Sequence, residues 1–585
     1  MQSNPYSFCA SRFALIAILQ LALSGCISPW FRPNDDPATR REAIREKLES
    51  DERPRIISQI GTERMLTLAR LENVGLVTQL PGTGGVVNAS QPREKMLDIM
   101  RRRDADQPNT FLDSDATAMV VAYAIVPPAA AKGRILDVNV KMSSHAEATD
   151  LQRGWLLDTS LVEMRNESGQ VREGFEYAVA KGPLVTRAQI YGGDSPDDKL
   201  EGIVVGGAQL LKTRELGIGI QSDFADAITM AAILPAINNR FTIFDGRKQV
   251  GIATPQDDND ITVAVPARYR LDPFHFINVV LNVGFNELEP QRMERIEQLK
   301  LQLNDPVTVR TASWQLEAIG EEAIPILANN LTHPDPEVRF YTAHALAYLG
   351  DPRAIAPLVE LCRREPAFRA MCLNALTIIE SYEAGDALEQ LLHAADTETR
   401  YGALRALRQR DASDPRATGL PVSDVGTILE VPTAGPPLVA ISLHERPEIA
   451  IFGPVPQLHL PLFSYVNPRI IIQPNGDRVT ISNFETGKED RVTEVAGDLR
   501  SVLVGIAEVG GNYGDWVSFL RVCHEKGYLS EPLAINPIPT AGRTYHREPK
   551  RQVEPGEEMY EQTLINELES PSTASKSSWY NPFSW

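Results

Sequence analysis

Apolar and polar positions alternate through Val74, Leu76 and Leu80, break at Pro81-Gly82-Thr83-Gly84-Gly85, and give way to a helical pattern. That order predicts a strand, a glycine turn and a helix. Ser90 and Pro92 stand where a helix cap and first turn belong, and Met96, Leu97 and Met100 share one face of the turns that follow. From Gly133 to Met142 the alternation is clear, with Leu136, Val138, Val140 and Met142 on one side and Asp137, Asn139 and Lys141 on the other. This is the pattern of a strand with one buried face. From Ser222 a capped helix is expected, with Phe224, Ile228 and Ala231 on one face and a kink or end at Pro235. Ile261, Val263 and Val265 alternate again before Pro266, and no parallel βαβ series appears. Residues 56–290 therefore read as one α+β domain.

The grammar changes near Leu301. Asp305-Pro306 leads to Val309-Arg310, Asp335-Pro336 to Val338-Arg339, Glu365-Pro366 to Phe368-Arg369, and Asp396 to Arg400, each followed by alanine and leucine at helical spacing. The arginines 310, 339, 369 and 400 lie 29, 30 and 31 residues apart. The period of one helix pair resembles short HEAT-like repeats, four copies stacked into an α-solenoid over residues 291–411. The arginines are expected to tie successive repeats together. Residues 412–436, rich in Pro, Gly, Thr and Asp, read as a linker.

A β-rich α+β domain is expected over 437–545, with a hairpin joining Ile470–Ile472 to Val479–Ile481 across Asn475-Gly476. Two helices follow, one with the face Leu499, Val502, Leu503 and Ile506, the other with Trp516, Phe519, Leu520 and Cys523. Residues 546–585 form an acidic tail expected to be disordered, closing on the aromatic stretch Trp579 to Trp585.

At 585 residues the chain exceeds a single hydrophobic core. Its net charge of -19 argues against nucleic acid, which demands clustered Lys and Arg. The apolar run Phe13 to Leu23 is too short to span a membrane, and with Leu23-Ser24-Gly25-Cys26 it resembles a lipoprotein signal. Residues 1–25 would then be a cleaved signal peptide, Cys26 the lipid attachment residue, and 26–55 a polar tether, with Ile27 in place of Asp favouring the outer membrane. Cys362, Cys372 and Cys523 have no metal-site spacing and read as small core residues.

Catalytic, cofactor-binding and metal-binding residues are all expected to be absent. Pro81 to Gly85 lacks the Gly-Lys-Ser/Thr ending of a phosphate loop. The acidic knot Asp257 to Asp260 lacks the ligand spacing of a calcium loop, no two histidines have metal-ligand spacing on a helix, and no Gly-x-Ser-x-Gly elbow occurs. The chain is therefore expected not to be an enzyme.

The Gly75-Leu76-Val77 strand, the Gly82-Thr83-Gly84 turn and the helix after it resemble the flagellar P-ring protein family. The resemblance continues in order through ATAMVVAYAI from Ala116, GRILDVNVKM from Gly133, LQRGWLL from Leu151, GGAQLLKTREL from Gly206, DFADAITMAAILPAINNRF from Asp223 and ITVAVP from Ile261. It covers roughly residues 65 to 285. It implies a structural, non-catalytic component of the bacterial flagellar basal body, a periplasmic ring of many copies around the rod, with the L-ring proteins and peptidoglycan as further neighbours. The repeats and the lipid anchor leave an alternative open, a lipid-anchored envelope scaffold that binds peptidoglycan or a protein through its repeats, outside the flagellum.

Overall fold

The computed structural model describes residues 54–547 apart from 168, 169, 486 and 488, so Cys26, the signal segment and residues 548–585 lie outside the described residues. The architecture is multidomain: a β-rich α+β domain, a HEAT-like solenoid and a C-terminal β-rich domain with helices.

The first domain is built on an antiparallel barrel. Strands Ile135–Met142, Ala118–Val126, Ala69–Thr78, Trp155–Glu167, Gln170–Pro183 and Glu201–Leu210 pair in that order, and the last returns to pair with the first. Along Ala118–Val126 the residues Ala118, Val120, Ala122, Ala124 and Val126 point into the barrel core. Small and β-branched side chains suit an interior this narrow. Met119 points the other way with Leu76, under Met96, Leu97 and Met100 of the helix Gln91–Arg102. Ser90 caps that helix by accepting the Arg93 N–H, as its sequence position predicts. Burying each of those three apolar side chains contributes about 1.5–3 kcal/mol.

A second, smaller layer pairs Gly61–Arg64, Leu216–Ile220, Asp260–Val263 and Ala253–Pro255 in one sheet beneath the helices Ala227–Arg240 and Pro273–Leu281. Two expectations are corrected here. The helix is capped by Asp226 instead of Ser222, which shifts its phase: Met230, Ile233 and Ile237 face the core, while Ile228 is exposed. Of the kink or end expected at Pro235, the end does not occur, since the helix runs on to Arg240. Ile233 and Ile237 anchor both sides of the proline in the core, and Asn238 bonds the backbone of Ala253 through both side-chain atoms. Tertiary contacts there outweigh the one hydrogen bond that proline removes.

In the solenoid, Val309–Ile319, Pro336–Tyr348 and Arg369–Ile378 are each followed by a second helix, Ile324–Ala328, Ile355–Arg364 and Tyr382–Leu391. The expected fourth copy is only half present: Thr397–Arg410 stands alone, and Val431, Leu438, Ala440 and Phe452 of the C-terminal sheet cover it. A solenoid end needs such a cap, because a terminal repeat otherwise exposes its apolar face.

The linker expected over 412–436 is not one. Leu420–Val422 and Gly426–Val431 are strands of the C-terminal sheet, whose order is Leu420–Val422, Gly426–Val431, Glu448–Phe452, Leu438–Ile441, Leu533–Ile535. Gly426–Val431 runs parallel to Glu448–Phe452, with Leu429 opposite Ala450. A second sheet contains the expected hairpin, where Asn475 pairs with Arg478, so the turn residues are Gly476 and Asp477. The helices Leu499–Glu508 and Tyr513–Glu525 complete this core, which also takes in Val185, Ile190 and Ile203 of the first domain.

Candidate functional site at the domain junction

The glycine turn Pro81 to Gly85 is bonded to its own chain. Its amides are taken by the chain itself: Gly84 N–H donates to Asp115 O at 2.7 Å and Gly85 N–H to Thr117 O at 3.1 Å. A Cβ on Gly84 would sit 2.1 Å from Thr117 O. The glycines serve a close backbone approach instead of a phosphate cradle. At the acidic knot, Asp260 pairs with Arg64, and among the described residues no group of His, Cys, Asp and Glu is placed to hold a metal. Cys362, Cys372 and Cys523 are free and buried, and burial pushes the Cys362 and Cys523 thiols up to about 12.

Polar chemistry gathers where the first domain meets the solenoid. Asp272 caps the Pro273–Leu281 helix by accepting the His275 N–H, which holds the His275 ring in the first turn, facing the repeats. Val309–Ile319 presents Trp314 and Glu317 three residues apart, and Pro336–Tyr348 presents His344 and Tyr348 four apart, so each pair shares a helix face. Glu317 is fully buried and holds two partners: the Tyr269 hydroxyl donates to Oε1 at 2.8 Å, and His275 Nε2 meets Oε2 at 2.8 Å. Trp314 Nε1–H donates to His275 Nδ1 at 3.2 Å, a bond that fits the neutral ring.

The His275 and His344 rings meet edge to face at 4.5 Å. Burial pulls the His275 imidazole down, but the charge and hydrogen bond of Glu317, with Asp272 behind them, leave it above the usual histidine value. His344 is driven well below that value by burial and by His275, so it stays neutral. Its Nε2 has no hydrogen-bond partner. Burial first, and then Glu317, raise the Tyr269 hydroxyl. This cluster was invisible to sequence spacing, since His275, Glu317 and His344 are 42 and 69 residues from first to second and first to third.

Two arginines of the first domain close the ends of repeat helices. Arg240 donates to Glu317 O and Ala318 O at 2.7 and 2.9 Å, and Arg268 to Tyr348 O at 3.0 Å. Cations at these carbonyl ends also oppose the helix dipole. Two of the four periodic arginines tie successive repeats together as expected. Arg310 donates to the Tyr341 hydroxyl of the next repeat at 2.6 Å, and Arg369 bonds Glu398 of the next at 2.9 Å. Arg339 departs from this, donating to His333 O and Pro334 O of its own turn. Arg400 leaves the solenoid, bonding Pro436 O with its guanidinium over the Phe452 ring.

After Leu533–Ile535 the chain turns back over the repeats. Arg543 makes two bonds to Glu398 at 2.6 and 2.8 Å, Tyr545 stacks on Phe368 at 4.8 Å, and Arg547 makes two bonds to Glu337 at 2.6 and 3.1 Å. Arg547 also donates to Pro306 O. This strap, together with Asp272, His275, Trp314 and Phe340, lines a cavity of about 840 Å³. The arrangement can bind and hold segments of chain.

The barrel is tied to the C-terminal domain in the same manner. Asp515, fully buried, meets Arg153 at 3.3 Å and accepts from Asn467 at 2.8 Å. Asp137 accepts the N–H groups of Gly206 and Glu445 at 2.8 and 2.9 Å and meets His444 at 2.7 Å. Glu445 in turn pairs with Arg134 of the barrel and Arg405 of the solenoid.

Residues 57–296 match the family model of the flagellar P-ring protein, and residues 295–368 match that of HEAT repeats. Flagellar P-ring proteins of Thermotoga maritima and Syntrophotalea carbinolica are 28% and 27% identical to the chain over 239 and 256 residues. These alignments take in 39% and 40% of the chain and 65% and 64% of the relatives. The Caulobacter vibrioides flagellar P-ring protein is 32% identical over 139 residues, 24% of the chain and 35% of the relative. The chain thus spans just under two thirds of the first two relatives' length. It joins a segment similar to the flagellar P-ring protein to a solenoid similar to HEAT repeats.

Proposed function

We propose that the chain is a non-catalytic, P-ring-like structural component of the bacterial flagellar basal body, in which copies pack side by side as a periplasmic ring around the rod. The observation that carries this reading is the match of residues 57–296 to the flagellar P-ring protein family. The junction supports it mechanically. Arg240, Arg268 and Glu445 bind the repeats to the barrel and its neighbouring sheet, contacts suited to a part that carries mechanical load. Neighbours in the assembly are the rod and the L-ring proteins, with peptidoglycan alongside, and a lipid on Cys26 tethers each copy to the outer membrane.

The test is negative-stain imaging of basal bodies from wild type and a deletion strain, with an antibody against the repeats as locator. A periplasmic ring that carries the label and vanishes on deletion is the expected result. A ring that persists unlabelled overturns the flagellar reading.

A second reading is a lipid-anchored envelope scaffold working outside the motor through its repeats. The observation that favours it is the combination of Leu23-Ser24-Gly25-Cys26 with a solenoid that follows the P-ring-like segment. Normal motility in the deletion strain, with a repeat-dependent envelope defect, is its signature.

A further inference from the structure

Glu337 and Glu398 hold the same place on their repeats, two residues before Arg339 and Arg400, and Phe368 stands one residue before Arg369, so that all three sit at the N-terminal ends of Pro336–Tyr348, Thr397–Arg410 and Arg369–Ile378. They lie 31 and 30 residues apart, the period of the repeats. The strap meets them in reverse order with every second residue: Arg547 on Glu337, Tyr545 on Phe368, Arg543 on Glu398. Alternate side chains of an extended segment point to one side, which is how a row of regularly spaced pockets reads a peptide. Two arginine forks on carboxylates fix register, and the tyrosine face on Phe368 supplies apolar contact. Beneath, Phe368 lies flat on Phe340 at 4.2 Å, so the aromatic pocket is rigid.

We propose that these three helix ends form a docking groove for an extended Arg-x-aromatic-x-Arg segment, and that its occupant is exchangeable between the chain's own residues 543–547 and the same residues of a second copy. The partner chemistry is set by the groove itself: two acidic forks either side of an aromatic platform. A second copy carries a segment that fits by identity, and exchanging it creates no new contact, the usual low-cost route to association between like chains. The path allows it. Asn536 to Arg547 forms neither helix nor strand, and Gly542 sits at φ 81° with open space around it, so it can pivot without strain. The Arg543–Glu398 pair is partly exposed, 34% and 27% open to solvent, whereas Glu337 is only 5% open beneath Arg547, so an incoming copy must supply an equivalent arginine there as the first one leaves. Bound in cis, the strap competes as a tethered ligand at high effective concentration, which keeps the groove closed to dilute competitors. The inference stands on the groove alone and does not rest on the flagellar reading.

The test uses two full-length variants. R543E/R547E breaks the strap and leaves the groove; E337Q/E398Q breaks the groove and leaves the strap. Each alone sets a baseline for association through any other surface, and the two are then mixed and followed by analytical ultracentrifugation. The expected result is a one-to-one species in the mixture above both baselines, dispersed by an excess of a synthetic peptide of residues 541–547. No species above baseline overturns the exchange. In parallel, the fluorescent peptide is expected to bind R543E/R547E at least tenfold more tightly than wild type; equal binding to both overturns the groove. If the charge reversal does not fold, Tyr545→Ala, which leaves every ion pair in place, carries the same peptide comparison.

Discussion

His275 and Glu317 come from different domains, the first opening a helix of the barrel domain and the second near the end of the first repeat helix, and they meet at 2.8 Å where neither side chain is appreciably exposed. Tyr269, Asp272, His344 and Tyr348 complete the surroundings. Breaking a buried pair from one side leaves the other charge unpaired, so Glu317→Gln is expected to cost about 3–5 kcal/mol. Because the folded His275 value is raised, its contribution is present in full below the unfolded histidine value and fades as pH climbs through the raised one. The gap in stability between wild type and E317Q should therefore narrow from pH 6 toward alkaline pH, as denaturation at each pH will show. A gap that widens instead contradicts the pairing.

Protonating His275 puts a hydrogen on Nδ1 and deprives the Trp314 indole N–H of its acceptor. The Trp314 indole resonance, identified by its loss in Trp314→Phe, is expected to titrate with His275 and to stop titrating in E317Q over the same range. His344 works in the opposite direction. Its folded value is depressed, so its contribution is present above the unfolded histidine value and is lost as pH falls.

Arg240→Ala and Arg268→Ala each uncap a repeat helix. Losing charged hydrogen bonds to the carbonyls of Glu317, Ala318 and Tyr348 is expected to cost about 1.5–3 kcal/mol per arginine. Hydrogen exchange should quicken across Val309–Ile319 in the first variant and Pro336–Tyr348 in the second, with the barrel strands unchanged. Uniform acceleration across all domains contradicts a local cap.

Arg153→Met leaves the buried Asp515 carboxylate with neutral donors, the Asn467 amide and the Asn512 N–H, and no cation, and is expected to destabilise by about 3 kcal/mol. R153M combined with Asp515→Asn should recover most of that loss, because both charges are then gone. Urea denaturation of the singles and the double closes the cycle; additive losses would mean the two residues do not interact.

Gly84→Ala forces a methyl group against Thr117 O and is expected to lower stability by about 1–3 kcal/mol. Cys26→Ser is expected to abolish incorporation of labelled palmitate and to release the protein from the membrane fraction; incorporation that survives rejects Cys26 as the attachment residue.

What could be read from the chain divides by range of interaction. The repeats announced themselves because each arginine and alanine recurs in the same local setting, and Leu136, Val138 and Val140 alternate as a strand with one apolar face turned to the core must, although the C-terminal domain covers Asp137 on the other face. The helix at Ala227 was mis-phased because Ser222 and Asp226 are both good caps, and only packing of Met230, Ile233 and Ile237 decides between them. Residues 412–436 carry the Pro and Gly of a loop, yet Gly426–Val431 is a strand because Glu448–Phe452 lies alongside it, a partner that local composition cannot reveal. The junction cluster and the strap were hidden for the same reason: their members are polar, distant in sequence, and ordinary until brought together.

The strap constrains how this chain can change over generations. Its side chains at 543, 545 and 547 step along the solenoid one repeat for every two residues. Duplicating or losing a single repeat would throw those side chains out of step with Glu398, Phe368 and Glu337. The strap is in effect a ruler laid along the repeats, and any lineage that keeps it is held to the same count.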